Sequence, residues 1–257
     1  MKYDLDGKVA LVTGAGQGIG EGIARKLTSH GARVVYTDVN LATLEPSAAK
    51  SAGSWAMKMD VTSAAEVESV FARVEKECGR LDILVNNAGG GGGGKAGRVH
   101  MDKYPIEQWD RVIALNLTGT FLVSRMASRL MLRQKAGRIV NIASVMGVAA
   151  ARDQCGYCAA KAGIVNLTKS MAMEFGPNNI LVNAVCPGTM ENVYVAGSIL
   201  KEFRDGILAH VALGRPGRFE DIANAVAFLT APESSYITGQ ALCVDGGWTA
   251  GGFFQDP

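Results

Sequence analysis

Val9-Ala10-Leu11-Val12-Thr13-Gly14-Ala15-Gly16-Gln17-Gly18-Ile19-Gly20 decides the fold. Five strand-forming residues run straight into a glycine-rich turn, and an amphipathic stretch from Ile19 to Ser29 follows at helical spacing. Glycines let the backbone turn tightly and approach a pyrophosphate, while the helix amino terminus presents unpaired N–H groups and a partial positive charge. Gly14, Gln17, Gly18, Ile19 and Gly20 are therefore the candidate phosphate contacts. Working outward, Arg33 to Thr37 reads as a second strand, with Asp38 at its carboxyl end. A carboxylate there accepts hydrogen bonds from the hydroxyls of an adenine ribose and repels a 2′-phosphate. Neither Gln17 nor Val39 supplies a cation to neutralise one, so the expected cofactor is NAD rather than NADP.

Short apolar runs alternate with amphipathic segments along the rest of the chain, the pattern of βαβ units. Strands are expected at Ser54–Met59, Asp82–Asn86, Arg138–Ile142, Leu181–Cys186 and Ala241–Val244. Helices are expected from Leu41, over Ala64–Glu77 with Gly79 as the stop, as one extended helix over Glu107–Arg133, and over Tyr157–Phe175, Met190–Ala209 and Glu220–Thr230. These pieces make an α/β chain, a Rossmann-type doubly wound sheet of about seven parallel strands with helices on both faces, spanning residues 1–257 as a single domain. Six consecutive glycines, Gly89 to Gly94, follow the fourth strand and predict a mobile loop at the border of the ligand crevice.

Composition narrows the functional classes. Lys plus Arg total 26 against 24 Asp plus Glu, so the formal charge of +2 provides no field to draw nucleic acid or an anionic membrane. The start of the chain lacks the apolar run of a secretory signal and no eighteen-residue apolar stretch occurs, which places the expected site of action in the cytoplasm. Five scattered cysteines argue for reduced thiols, and His30, His100 and His210 form no metal-ligand spacing. Cys155-Gly156-Tyr157-Cys158 matches the spacing of dithiol redox proteins, but it lies far downstream of the early strand such pairs follow.

Within that segment Tyr157 and Lys161 stand four apart at the start of a helix, so both side chains share a face. An ammonium beside a phenol stabilises the phenolate and makes it a usable base. With the glycine loop, this pair belongs to an ordered series: Asp60-Val61, Asn86-Asn87-Ala88-Gly89, Leu115-Asn116-Leu117-Thr118-Gly119, Ser144, Pro187-Gly188, and Thr238-Gly239-Gln240 leading to Asp245-Gly246-Gly247. On these residues the whole chain resembles the short-chain dehydrogenase/reductase family.

The resemblance implies a catalytic set of Asn116, Ser144, Tyr157 and Lys161. Tyr157 exchanges the proton with the substrate oxygen, Ser144 holds that oxygen, Lys161 lowers the phenol pKa and bonds the nicotinamide ribose, and Asn116 anchors a relay water. It also implies adenine contacts from Asp60 and Val61, ribose contacts from Asn87 and Gly89, and cofactor contacts from Gly188 and Thr189. The segment 188–215 becomes a substrate loop and 248–257, with Phe253 and Phe254, a tail suited to a homotetramer interface. Met146, Gln154 and Asn192 are candidate substrate contacts; Met190 and Asn192 depart from the aliphatic residue and threonine common after Pro-Gly. The expected reaction interconverts a secondary alcohol and a ketone of a small polar metabolite such as a polyol, sugar, hydroxy acid or hydroxysulfonate. The main alternative is 3-oxoacyl reduction on carrier-protein or CoA thioesters, disfavoured by Asn178-Asn179 where a basic grip is usual, although Lys135 supplies part of one. A silent NAD-binding regulator and a Cys155/Cys158 thiol oxidoreductase are the remote alternatives.

Overall fold

The computed structural model describes residues 2–51, 53–91, 98–191, 206 and 208–251. Seven strands form one parallel sheet: β1 (Val9–Thr13), β2 (Arg33–Asp38), β3 (Trp55–Lys58), β4 (Ile83–Asn86), β5 (Gly137–Ile142), β6 (Ile180–Pro187) and β7 (Ala241–Val244), ordered β3-β2-β1-β4-β5-β6-β7. The doubly wound sheet expected from the sequence is thus present. The chain reverses direction across the sheet between β1 and β4, opening a crevice at their carboxyl ends. The central strands are apolar at nearly every position because both faces are covered, as β1 illustrates with all five residues buried.

The helices are α1 (Gly18–Ser29), α2 (Leu41–Ala49), α3 (Ala64–Cys78), α4 (Ile106–Ile113), α5 (Gly119–Gln134), α6 (Cys155–Phe175) and α7 (Phe219–Thr230). Ile23 and Leu27 of α1 pack with Ile222 and Val226 of α7 on one face of the sheet. Val67 and Phe71 of α3, Val123 and Ala127 of α5, and Met171 of α6 pack on the other. Gly79 ends α3 in the left-handed region at φ 67°, as the sequence indicates.

Two expectations are corrected. The extended helix over Glu107–Arg133 is divided into α4 and α5 by a π-helical segment, Ala114–Thr118, centred on Asn116. Its wider turn is held by side-chain bonds to backbone, given below. At the start of the expected Met190–Ala209 helix, Met190 instead forms an isolated parallel bridge with Gly217, and the Glu191 N–H donates to the Gly217 carbonyl at 2.9 Å. Residues 192–205 and 207, and with them Asn192, lie outside the described residues, as do 92–94 of the glycine loop with 95–97 after it, and 252–257 of the tail.

Candidate active site

The glycine loop is tied down from both sides. Gly14 and Gly18 adopt φ of 62° and 61°, and a side chain on Gly20 would collide with the Gly14 carbonyl oxygen. Thr13, buried at the end of β1, accepts hydrogen bonds at its Oγ1 from the Asn87 and Ala88 N–H groups, both at 2.9 Å. The Asn87 amide donates to the carbonyls of Thr13 at 3.0 Å and Gly14 at 3.1 Å. Asn87 thus fastens the loop to the end of β4. Thr13 was not singled out from the sequence, although its place between strand and first glycine is the signal that finds it.

Asp38 reaches the same loop. Its Oδ2 accepts from the Gly16 N–H at 3.2 Å and its Oδ1 from the Asn40 N–H at 3.1 Å. At the neighbouring position after β3, Asp60 accepts from the Thr62 N–H and hydroxyl at 2.8 and 2.7 Å, and the buried Val61 packs on Gly119. The N-termini of α2 and α3 are capped by the Asn40 and Ser63 side chains, whereas Gln17 at the N-cap of α1 makes no side-chain cap bond. An uncapped first turn beside a tight glycine loop fits the pyrophosphate of a dinucleotide. On the far side of the crevice, the Gly188 N–H donates to Val244 and the Thr189 carbonyl accepts from Gly217.

The four catalytic candidates converge at the carboxyl ends of β4 and β5. Ser144 lies just past β5, 8% exposed, its Oγ accepting from the Met146 N–H at 3.1 Å. Tyr157 is in the first turn of α6. One turn on, Lys161 is 4% exposed, its Nζ donates to the Ile142 carbonyl at 2.9 Å, and it sits 5.7 Å from the centre of the Tyr157 ring. A methyl group on Gly89 would come 2.7 Å from Asn116 Oδ1 and 3.3 Å from Lys161 Nζ, so these two side chains flank one space. The fully buried Asn116 donates to the carbonyls of Gly90 and Val112, both at 2.9 Å, and accepts from the Gly90 N–H at 3.1 Å. Its amide therefore ties the β4 loop to the π-helical turn. Of the substrate candidates, Gln154 is buried immediately before α6 and Met146 is half-buried beside Ser144.

Burial pushes the Tyr157 phenol above its ordinary value and the Cys158 thiol adds to the rise, while the Ser144 hydroxyl draws it down. Burial also lowers Lys161, to about 8, because a desolvated ammonium is disfavoured. Such a phenol holds its proton at neutral pH, the state needed to protonate a carbonyl oxygen.

A crevice at the strand reversal, a tethered glycine loop, a carboxylate after β2 and a half-buried Tyr157 between buried Ser144 and Lys161 define a nicotinamide-dependent oxidoreductase. A family model described as enoyl-(acyl carrier protein) reductase matches residues 14–249. The 3-oxoacyl-[acyl-carrier-protein] reductase FabG of Escherichia coli (strain K12) is 40% identical over 249 residues, 95% of this chain and 98% of that protein. The uncharacterized oxidoreductase YxbG of Bacillus subtilis (strain 168) is 39% identical over 254 residues, 95% of this chain and 91% of its own length. The crystal structure of gox2181 superposes with a TM-score of 0.90 at 32% identity, over 96% of this chain and 97% of that one. The chain belongs to the short-chain dehydrogenase/reductase family. Among the described residues no helix is long and apolar enough to cross a membrane.

Proposed function

We propose that the protein reduces the 3-oxo group of an acyl thioester to the 3-hydroxy form, with NADH as the favoured cofactor. The relatives named as 3-oxoacyl-[acyl-carrier-protein] reductases support this alternative over the free polar metabolite that the sequence alone favours. The observation that carries it is the 40% identity, over 95% of this chain, to a relative of that name, joined to a Tyr157 phenol placed beside Ser144. Tyr157 protonates the substrate oxygen and Ser144 donates a hydrogen bond that stabilises charge as it develops. Lys161, fixed by the Ile142 carbonyl, faces the ribose side, and Asn116 holds the loop at Gly89–Gly90 and the relay water against it. Gly14, Gln17, Gly18, Ile19 and Gly20 take the pyrophosphate, Asp38 and Asn87 the adenosine ribose, Asp60 and Val61 the adenine, and Gly188 and Thr189 the nicotinamide end. The bound cofactor supplies the hydride.

Preference for NADH rests on Asp38, whose carboxylate is held toward the loop by two backbone N–H groups and would oppose a 2′-phosphate. The same residue, with Asn178-Asn179 before β6, favours the second reading, oxidation of a free polyol, sugar or hydroxy acid. The working unit is proposed to be a homotetramer. Initial rates of NADH and NADPH oxidation with acetoacetyl-CoA, set beside NAD⁺ reduction with a panel of polyols, sugars and hydroxy acids, test the assignment. Turnover of the thioester with kcat/KM well above that of every free metabolite is the expected result; turnover confined to the free metabolites overturns it.

A further inference from the structure

The Cys155-Gly156-Tyr157-Cys158 spacing is a sequence motif that the proposed reaction leaves unused. Both cysteines are free and half-buried in the first turn of α6, where the Cys158 N–H closes that turn on the Gln154 carbonyl at 2.9 Å. Three positions apart on a helix, their side chains leave neighbouring points of one face. The Cys158 sulfur lies 3.9 Å from the Ala151 carbonyl oxygen, back toward the amino end of the helix, and Cys155 lines an open hollow with Tyr104 and Trp109. No side chain caps this turn.

We propose that Cys155 and Cys158 are a reversible oxidation site which, on forming a disulfide, tightens the turn carrying Tyr157 and switches the enzyme off. The co-reactant is a peroxide. The Cys155 thiolate attacks one peroxide oxygen, forming an S–O bond and breaking O–O; the departing hydroxide takes a proton and leaves as water. The Cys158 sulfur then attacks the sulfenic sulfur, forming S–S and breaking S–O, and its proton accompanies the second oxygen out as water. Both sulfurs are oxidised and both peroxide oxygens reduced. A disulfide needs its Cβ atoms about 3.8 Å apart, closer than the 5–6 Å of helical neighbours three apart. Bridging therefore pulls the backbone on either side of Tyr157. Displacement of about 1 Å at a reacting group lowers turnover by up to roughly a hundredfold.

The activity readout rests on the proposed reductase function; the chemical readout does not. Cleavage after Arg152 and Lys161 releases peptide 153–161, which contains these two cysteines and no other. Reduced full-length protein is treated with hydrogen peroxide, desalted, alkylated, and examined by peptide mass, NADH oxidation with acetoacetyl-CoA, and hydrogen exchange of residues 155–161. The expected result is a 153–161 peptide that has lost two hydrogens and resists alkylation, a fall in rate of roughly tenfold or more, and altered exchange, all reversed by dithiothreitol. Cys155→Ser and Cys158→Ser each retain untreated activity and resist peroxide. A peptide that stays alkylatable overturns the proposal, as does a disulfide that leaves exchange and rate unchanged. Equal peroxide inactivation of both variants, which would move the effect to the cross-strand neighbours Cys186 and Cys243, overturns it as well. A protein that never reduces the thioester refutes the functional assignment, while peptide mass and exchange still decide the pairing and its effect on the turn.

Discussion

Tyr157 acts on the substrate oxygen and makes no contact that the pyrophosphate loop needs, so its hydroxyl should govern rate and not cofactor affinity. Tyr157→Phe is expected to lower kcat by about a thousandfold or more, with NADH affinity by fluorescence titration unchanged within about twofold. Asp38 controls the opposite property. Asp38→Ala combined with Val39→Arg removes the carboxylate facing Gly16 and supplies a cation, and the ratio of kcat/KM for NADPH over NADH should rise by about tenfold or more. Lys161 adds a pH signature. Its folded pKa of about 8 lies below that of an unfolded lysine, so between those values the unfolded chain binds more protons and stability rises with pH. The cofactor-free wild type should therefore gain melting temperature relative to Lys161→Met, by a few degrees, between pH 7.5 and 9.5. A difference that does not change with pH would place the ammonium in water.

The strands and helices around these residues depend on a buried polar ladder. Asn86 of β4 and Asn141 of β5 face each other in register, the Asn86 amide donating to Asn141 Oδ1 and to Ser124 Oγ of α5, both at 2.8 Å. The Asn141 amide donates in turn to Thr168 Oγ1 of α6 at 2.9 Å. These bonds set how α5 and α6 lie on the sheet, and α6 carries Tyr157 and Lys161. Asn141→Leu would take one buried partner from each of Asn86 and Thr168, leaving them Ser124 and the Ile164 carbonyl, and is expected to cost about 1–3 kcal/mol of stability in urea unfolding. The strands were legible because their apolar runs have a strand's length and turn residues between them. The glycine loop, Asp38 and the Tyr157/Lys161 pair were legible because residue type and spacing carry the chemistry. The π-helical turn at Asn116 was not: one extra residue in a turn hardly disturbs an apolar stripe, and the amide bonds to Gly90 that accompany it join residues 26 apart. The rise of the Tyr157 pKa was hidden for a similar reason, since spacing shows a neighbouring charge but not the depth at which a group is buried.

For the assembled molecule, the surface around the sheet remains to be accounted for. Ile106, Met173 and Tyr236 are large apolar or aromatic side chains left 73%, 81% and 102% exposed by the single chain, more than is usual for residues of their kind. They lie on α4, on α6 and just before β7, and the proposed tetramer is expected to cover some of them. Light scattering at micromolar concentration is expected to give four times the 27.0 kDa chain mass, and a mass of one chain would refute the proposed assembly.

The five residues Ala114–Thr118 bear on how this protein tolerates change in length. A π turn holds one more residue than the α turn it replaces, so removing a single position from that segment would close it into an ordinary α turn and leave Val123, Ala127 and Met131 on the sheet. The same deletion inside the sixteen residues of α5, where each position advances about 100°, would swing the residues after it away from the sheet and drive Arg129 inward.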